Sequence, residues 1–72
     1  MTKSVFTKNY RDFLNKLKKA RLEANLTQED AAKLLTKPQS FISKCESGER
    51  RVDIAELKLF AGIYKKKLDF FI

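Results

Sequence analysis

Leu26-Thr27-Gln28-Glu29-Asp30-Ala31-Ala32-Lys33-Leu34-Leu35-Thr36-Lys37-Pro38-Gln39-Ser40-Phe41-Ile42-Ser43-Lys44-Cys45-Glu46-Ser47-Gly48 reads as two short helices joined by a tight turn. Thr27 is a natural N-cap, and Glu29 and Asp30 meet the positive end of the helix that follows. Ala31, Ala32 and Leu35 supply that helix with apolar contacts over barely two turns. Thr36-Lys37-Pro38 then breaks the pattern, because proline disfavours helical geometry at Lys37 but suits the first turn of a new helix. The next helix runs over about 38–47 and stops at Gly48. The two helices and their turn occupy about 27–47.

Working outward, residues from about Thr7 to Ala24 form one amphipathic helix. Phe6, Tyr10, Phe13, Leu14, Leu17, Ala20 and Ala24 recur at steps of three and four, which places them on one face. Asn25 tolerates the left-handed conformation that ends a helix. Beyond Gly48, residues 49–53 make a polar loop. Ile54 to Tyr64 make a fourth helix with Leu57, Phe60, Ala61 and Tyr64 inward. Lys65 to Ile72 read as a basic turn and a last short helix. The expected fold is all-α, a compact bundle of about five helices in a single domain, 1–72. A chain of 72 residues buries about 60% of its unfolded surface, enough for a small independent core.

Composition narrows the function. The chain has no histidine and one cysteine, which removes the usual hydrolytic and metal-ligating groups, and we read it as non-enzymatic, with no metal and no cofactor. A lone cysteine suits a reducing cytoplasm. There is no apolar run long enough for a membrane span and no secretory h-region, so a cytoplasmic protein is expected. The formal charge is +7, and it is uneven: over residues 1–21, Lys3, Lys8, Arg11, Lys16, Lys18, Lys19 and Arg21 are set against Asp12 alone. A second cluster is Lys65-Lys66-Lys67. Such an excess favours a polyanionic partner, although a basic solvated surface would look the same.

The helix over 38–47 carries two faces. Ile42 and Cys45 point inward, and Gln39, Ser40, Ser43 and Lys44 point out. A short polar-faced helix held by a tight turn fits a DNA major groove, where Gln suits adenine and Lys or Ser reach guanine or either strand. A merely solvated face has the same pattern.

Here the chain resembles the Cro/cI (XRE-type) helix-turn-helix family of phage repressors and bacterial regulators. The resemblance rests on Leu26-Thr27-Gln28-Glu29, Gln39-Ser40-Phe41-Ile42-Ser43-Lys44 and Glu46-Ser47-Gly48-Glu49-Arg50 at this spacing, and it extends from about Leu14 to Phe71. It implies a five-helix, lambda repressor-like fold that binds double-stranded DNA, commonly as a homodimer. It also implies roles by position. Thr27 and Gln28 would bind phosphate, Gln39, Ser40, Ser43 and Lys44 would face bases, and Ser47, Arg50 and Arg51 would meet the DNA backbone. Gln28 can also brace Gln39. Arg21 interrupts the apolar stripe of the first helix and Glu46 turns inward on the third; the family pattern pairs these positions, and a buried charge needs such a partner.

Some positions depart from that pattern. Thr36 stands where glycine is usual, and a β-branched residue is strained at positive φ, which points to a rearranged turn. Ala31 replaces a large aliphatic and Leu34 is apolar where the family is polar, which points to a shifted core. Phe41 either packs or meets a thymine methyl. Cys45, in an aliphatic position, reads as a buried inert thiol. Lys65 and Lys66 replace a glycine and an apolar residue. The function expected is a sequence-specific transcriptional regulator, a repressor, with no small-molecule ligand. The alternative is a protein-interaction module on the same fold. Leu59 and Ile63 form a second apolar stripe beside Gly62, and the chain ends Phe70-Phe71-Ile72. With one of Leu68 and Phe71 capping the core, Leu59, Gly62, Ile63, Phe70 and Ile72 become the expected homodimer surface.

Overall fold

The computed structural model describes residues 7–72. Phe6 and Lys3, which the sequence reading placed at the start of the first helix and in its basic cluster, lie outside the described residues. The element order is α1 (Lys8–Glu23), α2 (Gln28–Leu35), α3 (Gln39–Ser47), α4 (Ile54–Tyr64) and α5 (Leu68–Phe71). Each of the first four begins where a cap or a proline permits. The Thr7 hydroxyl accepts from the Tyr10 N–H at 3.1 Å. Thr27 and Asp30 exchange bonds in a reciprocal box at 3.0 Å each, which holds the Asp30 carboxyl below its usual range through the Thr27 N–H. Asp53 and Glu56 form a second such box at the start of α4. Pro38 precedes α3 with extended geometry and needs no donor of its own.

The core forms where the inner faces of all five helices converge. Leu17, Ala20, Ala31, Ile42, Cys45 and Phe60 have no exposed surface, and Tyr64 and Phe71 have almost none. Small side chains at Ala31 and Ala32 let α2 lie close against α3, while aromatics fill the wider space below. Phe60 stacks between Tyr64 at 5.8 Å and Phe41 at 6.2 Å, and Phe71 closes the bundle edge-on to Phe13 at 6.4 Å. Phe41 therefore packs. Burial pushes the Cys45 thiol up, away from the thiolate form that reacts. Tyr64 is the last aromatic of this stack, and burial also pushes its phenol up. Among the described residues the Tyr64 hydroxyl has no hydrogen-bond partner.

Two expectations are corrected here. The core does not shift to absorb Leu34, which is 57% exposed, because it lies on the outer side of α2 while Ala31 and Ala32 occupy the contact. The turn at Thr36 is not rearranged either. Thr36 adopts the left-handed conformation, φ 58° and ψ 46°, as do Asn25 and Lys65. All three follow one pattern, in which the N–H after the left-handed residue reaches the carbonyl five residues back. Leu26 bonds Arg21, Lys37 bonds Ala32 and Lys66 bonds Ala61, at 3.2, 2.9 and 3.0 Å. These closures satisfy carbonyls that the helix end would otherwise orphan, and that gain holds a β-branched residue where glycine would be easier.

Among the described residues, one charged pair has both side chains buried. Arg21, 6% exposed, projects from α1 toward Glu46 of α3. Its Nε donates to Glu46 Oε2 at 2.6 Å and its Nη2 to Oε1 at 3.2 Å. Its Nη1 donates to the Leu26 carbonyl at 2.9 Å, in the loop before α2. The Glu46 hydrogen bond raises the Arg21 pKa further despite the opposing effect of burial. One guanidinium thus joins α1, α3 and the entrance to α2.

Two outcomes follow for stability. Thr36→Gly relieves the left-handed cost of a β-carbon and is expected to raise unfolding stability by about 1 kcal/mol, roughly 4–8 °C in Tm; an unchanged or lower Tm in a thermal melt would show that the turn carries no strain. Replacing Arg21 or Glu46 alone with an apolar residue should cost about 3–5 kcal/mol, whereas Arg21→Met with Glu46→Leu together should cost far less than the sum. Strict additivity in denaturant titrations would mean that the pair is not energetically coupled.

Candidate nucleic-acid interface

The helix pair presents one polar surface, and the buried ion pair lies directly behind it. Gln28, the first residue of α2, is half-buried, and its Nε2 donates to Glu46 Oε1 at 3.1 Å. Gln39, the first residue of α3, donates from Nε2 to Gln28 Oε1 at 3.4 Å. The starts of the two helices are therefore linked side chain to side chain, with Gln39 outermost. Ser40, Ser43 and Lys44 are exposed on the same side of α3, opposite the buried Ile42 and Cys45. The structure thus brings Gln28, Gln39 and the Arg21–Glu46 pair into one network and leaves Ser40, Ser43 and Lys44 open. Thr27 is exposed, but its hydroxyl is committed to the Asp30 N–H.

The loop after α3 is held at several points. Gly48 takes φ 86°, which needs a residue without a β-carbon. The Arg50 N–H reaches back to the Lys44 carbonyl at 3.1 Å. Ser47 donates from its hydroxyl to the same carbonyl at 3.2 Å and accepts from the Glu49 N–H at 3.3 Å. The Arg50 guanidinium is gripped end-on by Glu56, at 2.8 Å from Nη1 and 2.7 Å from Nη2, and lies 4.8 Å from the Phe41 ring centroid. Arg50 in turn holds the Glu56 carboxyl below the usual carboxylate range. Arg51 lies 4.3 Å over the Tyr10 ring, and the Tyr10 hydroxyl accepts from the Val52 N–H at 3.1 Å. Lys37 sits 5.4 Å from the Phe41 ring centroid.

Sequence reasoning missed the residues that position these cations. From the sequence Tyr10 is an inner-face aromatic only, Phe41 is packing or a base contact, and Glu56 has no assigned role. The signal for Glu56 was present, since Asp53-x-x-Glu56 is a capping box whose acid faces the preceding basic loop. Nothing local signals the Tyr10 contact, which joins residues 42 positions apart.

The expected dimer residues differ in exposure. Leu59 and Ile72 are 56% and 78% exposed, and Gly62 is exposed with open space beside it. Ile63 and Phe70 instead pack partly against the core. Ile63 borders a hollow with Leu26, Leu34 and Lys66, while Ile72 borders another with Tyr10, Phe13, Ile54 and Phe71. Phe71 is the residue that caps the core, and Leu68 packs against it. Among the described residues, no helix is long and apolar enough to cross a membrane.

Comparison with known proteins agrees with this geometry. The sequence model of the Cro/C1-type helix-turn-helix family, the XRE family of DNA-binding regulators, matches residues 17–71. No curated protein sequence matches the chain. The chain belongs to the helix-turn-helix family.

Proposed function

We propose that this helix-turn-helix protein is a sequence-specific transcriptional repressor that lays α3 in the major groove and acts as a homodimer on a two-fold site. The observation that carries the reading is the position of Gln39: outermost in a polar network, at the start of a helix whose buried face fixes its orientation. Gln39, Ser40, Ser43 and Lys44 then face bases. The capped start of α2 meets phosphate through Gln28, at the N–H end of the helix, and through the hydroxyl hydrogen of Thr27, whose own N–H is held by Asp30. Ser47, Arg50 and Arg51 flank the other end of α3 and meet the backbone there. Arg50 comes to DNA already paired with Glu56, so its charge is partly compensated before binding. The excess of +7 supplies the salt-sensitive, sequence-independent part of the affinity.

The homodimer uses the outward side of α4, where exposed Ala55, Leu59 and Gly62 succeed one another at steps of four and three. Leu59 is the apolar centre of that side, and Gly62 lets a second backbone approach. A two-fold pairing places two copies of α3 about 34 Å apart, one turn of DNA.

Selection from a random duplex pool, followed by gel shifts across salt concentrations, tests the reading. Gln39→Ala should cost about 1–3 kcal/mol at one operator position and relax the preference there. Arg51→Ala should weaken all sequences alike and flatten the salt slope by about one unit. An unchanged ranking of operators in Gln39→Ala would remove α3 from base reading. Leu59→Glu should give a folded monomer with much weaker operator binding, measured by sedimentation and gel shift. A wild-type protein that stays monomeric at high micromolar concentration, with and without operator, would exclude the homodimer.

A further inference from the structure

We infer that the buried Arg21–Glu46 pair sets the direction of the Gln39 amide, and so makes α3 read adenine rather than guanine, through Gln28 as a relay. The inference rests on the proposed reading of α3 as the base-contacting helix. It concerns residues that touch no base.

The relay follows from which groups can donate and which can only accept. A guanidinium has donors and no acceptor, and a carboxylate paired with it has acceptors and no donor. Glu46 takes the Arg21 Nε and Nη2 hydrogens on its two oxygens. Its Oε1 therefore demands a donor from Gln28 as well, and Gln28 supplies Nε2 at 3.1 Å. Turning that amide over would set two oxygens face to face in a half-buried place, where an unpaired acceptor is costly. With Nε2 committed inward, Gln28 shows only Oε1 to Gln39. Gln39 must then answer with its own Nε2, as it does at 3.4 Å. Each amide passes its orientation to the next.

At the outer end, Gln39 keeps its oxygen and one N–H for a base. Adenine offers N7 as acceptor and N6–H as donor in the major groove, which complements that pair. Guanine offers N7 and O6, both acceptors, and would place O6 against the Gln39 oxygen. The amide direction thus separates the two purines. Gln28 and Glu46 are positioning residues for this choice. Changing Glu46 to an amide reverses the relay. Arg21 can only donate, and its shorter bond runs from Nε to Oε2 at 2.6 Å, so residue 46 would keep its oxygen there, give up the 3.2 Å bond from Nη2 and turn its NH₂ to Gln28. Gln28 would then accept from residue 46 and donate to Gln39. The Gln39 oxygen would be occupied and its NH₂ left to meet guanine.

The test uses the full chain and duplexes selected from a random pool, with each half-site position varied among the four bases. The wild-type protein should prefer adenine over guanine about tenfold at one position per half-site. Gln28→Ala should reduce that ratio to within about twofold, beyond any uniform loss of affinity from a missing phosphate contact. Glu46→Gln should move the preference toward guanine. If Glu46→Gln does not fold by circular dichroism, Gln28→Ala decides alone, because it leaves the ion pair whole. An adenine-to-guanine ratio that is the same in wild type and Gln28→Ala overturns the relay while leaving α3 as the reader. A wild-type protein that enriches no sequence overturns the reading of α3 itself, and the relay with it.

Discussion

A cation inside an apolar stripe is the constraint on which this small fold depends. Arg21 occupies a position on α1 that packing would otherwise give to an aliphatic residue, and its charge cannot be left unpaired in a core of this size. Glu46 answers from α3, and the Leu26 carbonyl answers from the loop before α2. Three elements are thereby fixed relative to one another by a single rigid, planar group. A hydrophobic contact at the same place would tolerate rotation and sliding of one helix on another. A side-on guanidinium–carboxylate pair is more demanding, because both distance and plane must match. Gln28 ties α2 to the same carboxylate, and Ala31 and Ala32 are buried on that helix.

The same logic of restraint governs the exposed side of the molecule. Long basic side chains lose rotamer freedom when they bind a phosphate, and that loss is smaller if they are already held. The loop after α3 holds its arginines in place. Arg50 lies against Phe41 and is forked by Glu56, and Arg51 lies over Tyr10. Phe41 and Tyr10 thus have two functions each. Phe41 stacks on Phe60 in the core and carries Arg50 on its outer side; Tyr10 packs near Phe13 and receives the Val52 N–H. Core packing and the placement of surface charge are coupled through these rings.

The helix ends show how a short chain tolerates unfavourable residues. Asn25, Thr36 and Lys65 all sit in the left-handed region, and only asparagine enters it readily. The turns form regardless because each closes with the same backbone bonds and because the helices they join are fastened elsewhere. Between α2 and α3 the fastening is the Gln28–Gln39 contact and the buried pair behind it. Between α4 and α5 it is Phe71 in the core, with Lys66 tied to Glu23 of α1 at 2.6 Å. Local strain is outweighed by contacts that are distant in sequence.

Much of this was legible in the residues alone. Capping boxes, the proline after Thr36 and the apolar spacing of α1 and α4 are local signals, and the helices fall where those signals place them. The outward polar face of α3 and the inward turn of Glu46 follow from a period of 3.6 residues and need no knowledge of the neighbours. Other features depend on contacts that no window of sequence contains. A local rule treats Thr36 as a reason to rearrange the turn, whereas the strain is tolerated because the closing bonds and the helices on either side hold it. Leu34 reads as core material, but it stays outside because Ala31 and Ala32 already fill the contact. Tyr10 reads as one more apolar position, yet its hydroxyl meets a backbone N–H 42 residues away. The sequence by itself determined where each helix starts, stops and turns its apolar face, since those depend on neighbours within four residues. Only the tertiary structure decided which polar groups meet, because hydrogen-bond direction and charge pairing depend on distances between elements that the chain brings together by folding.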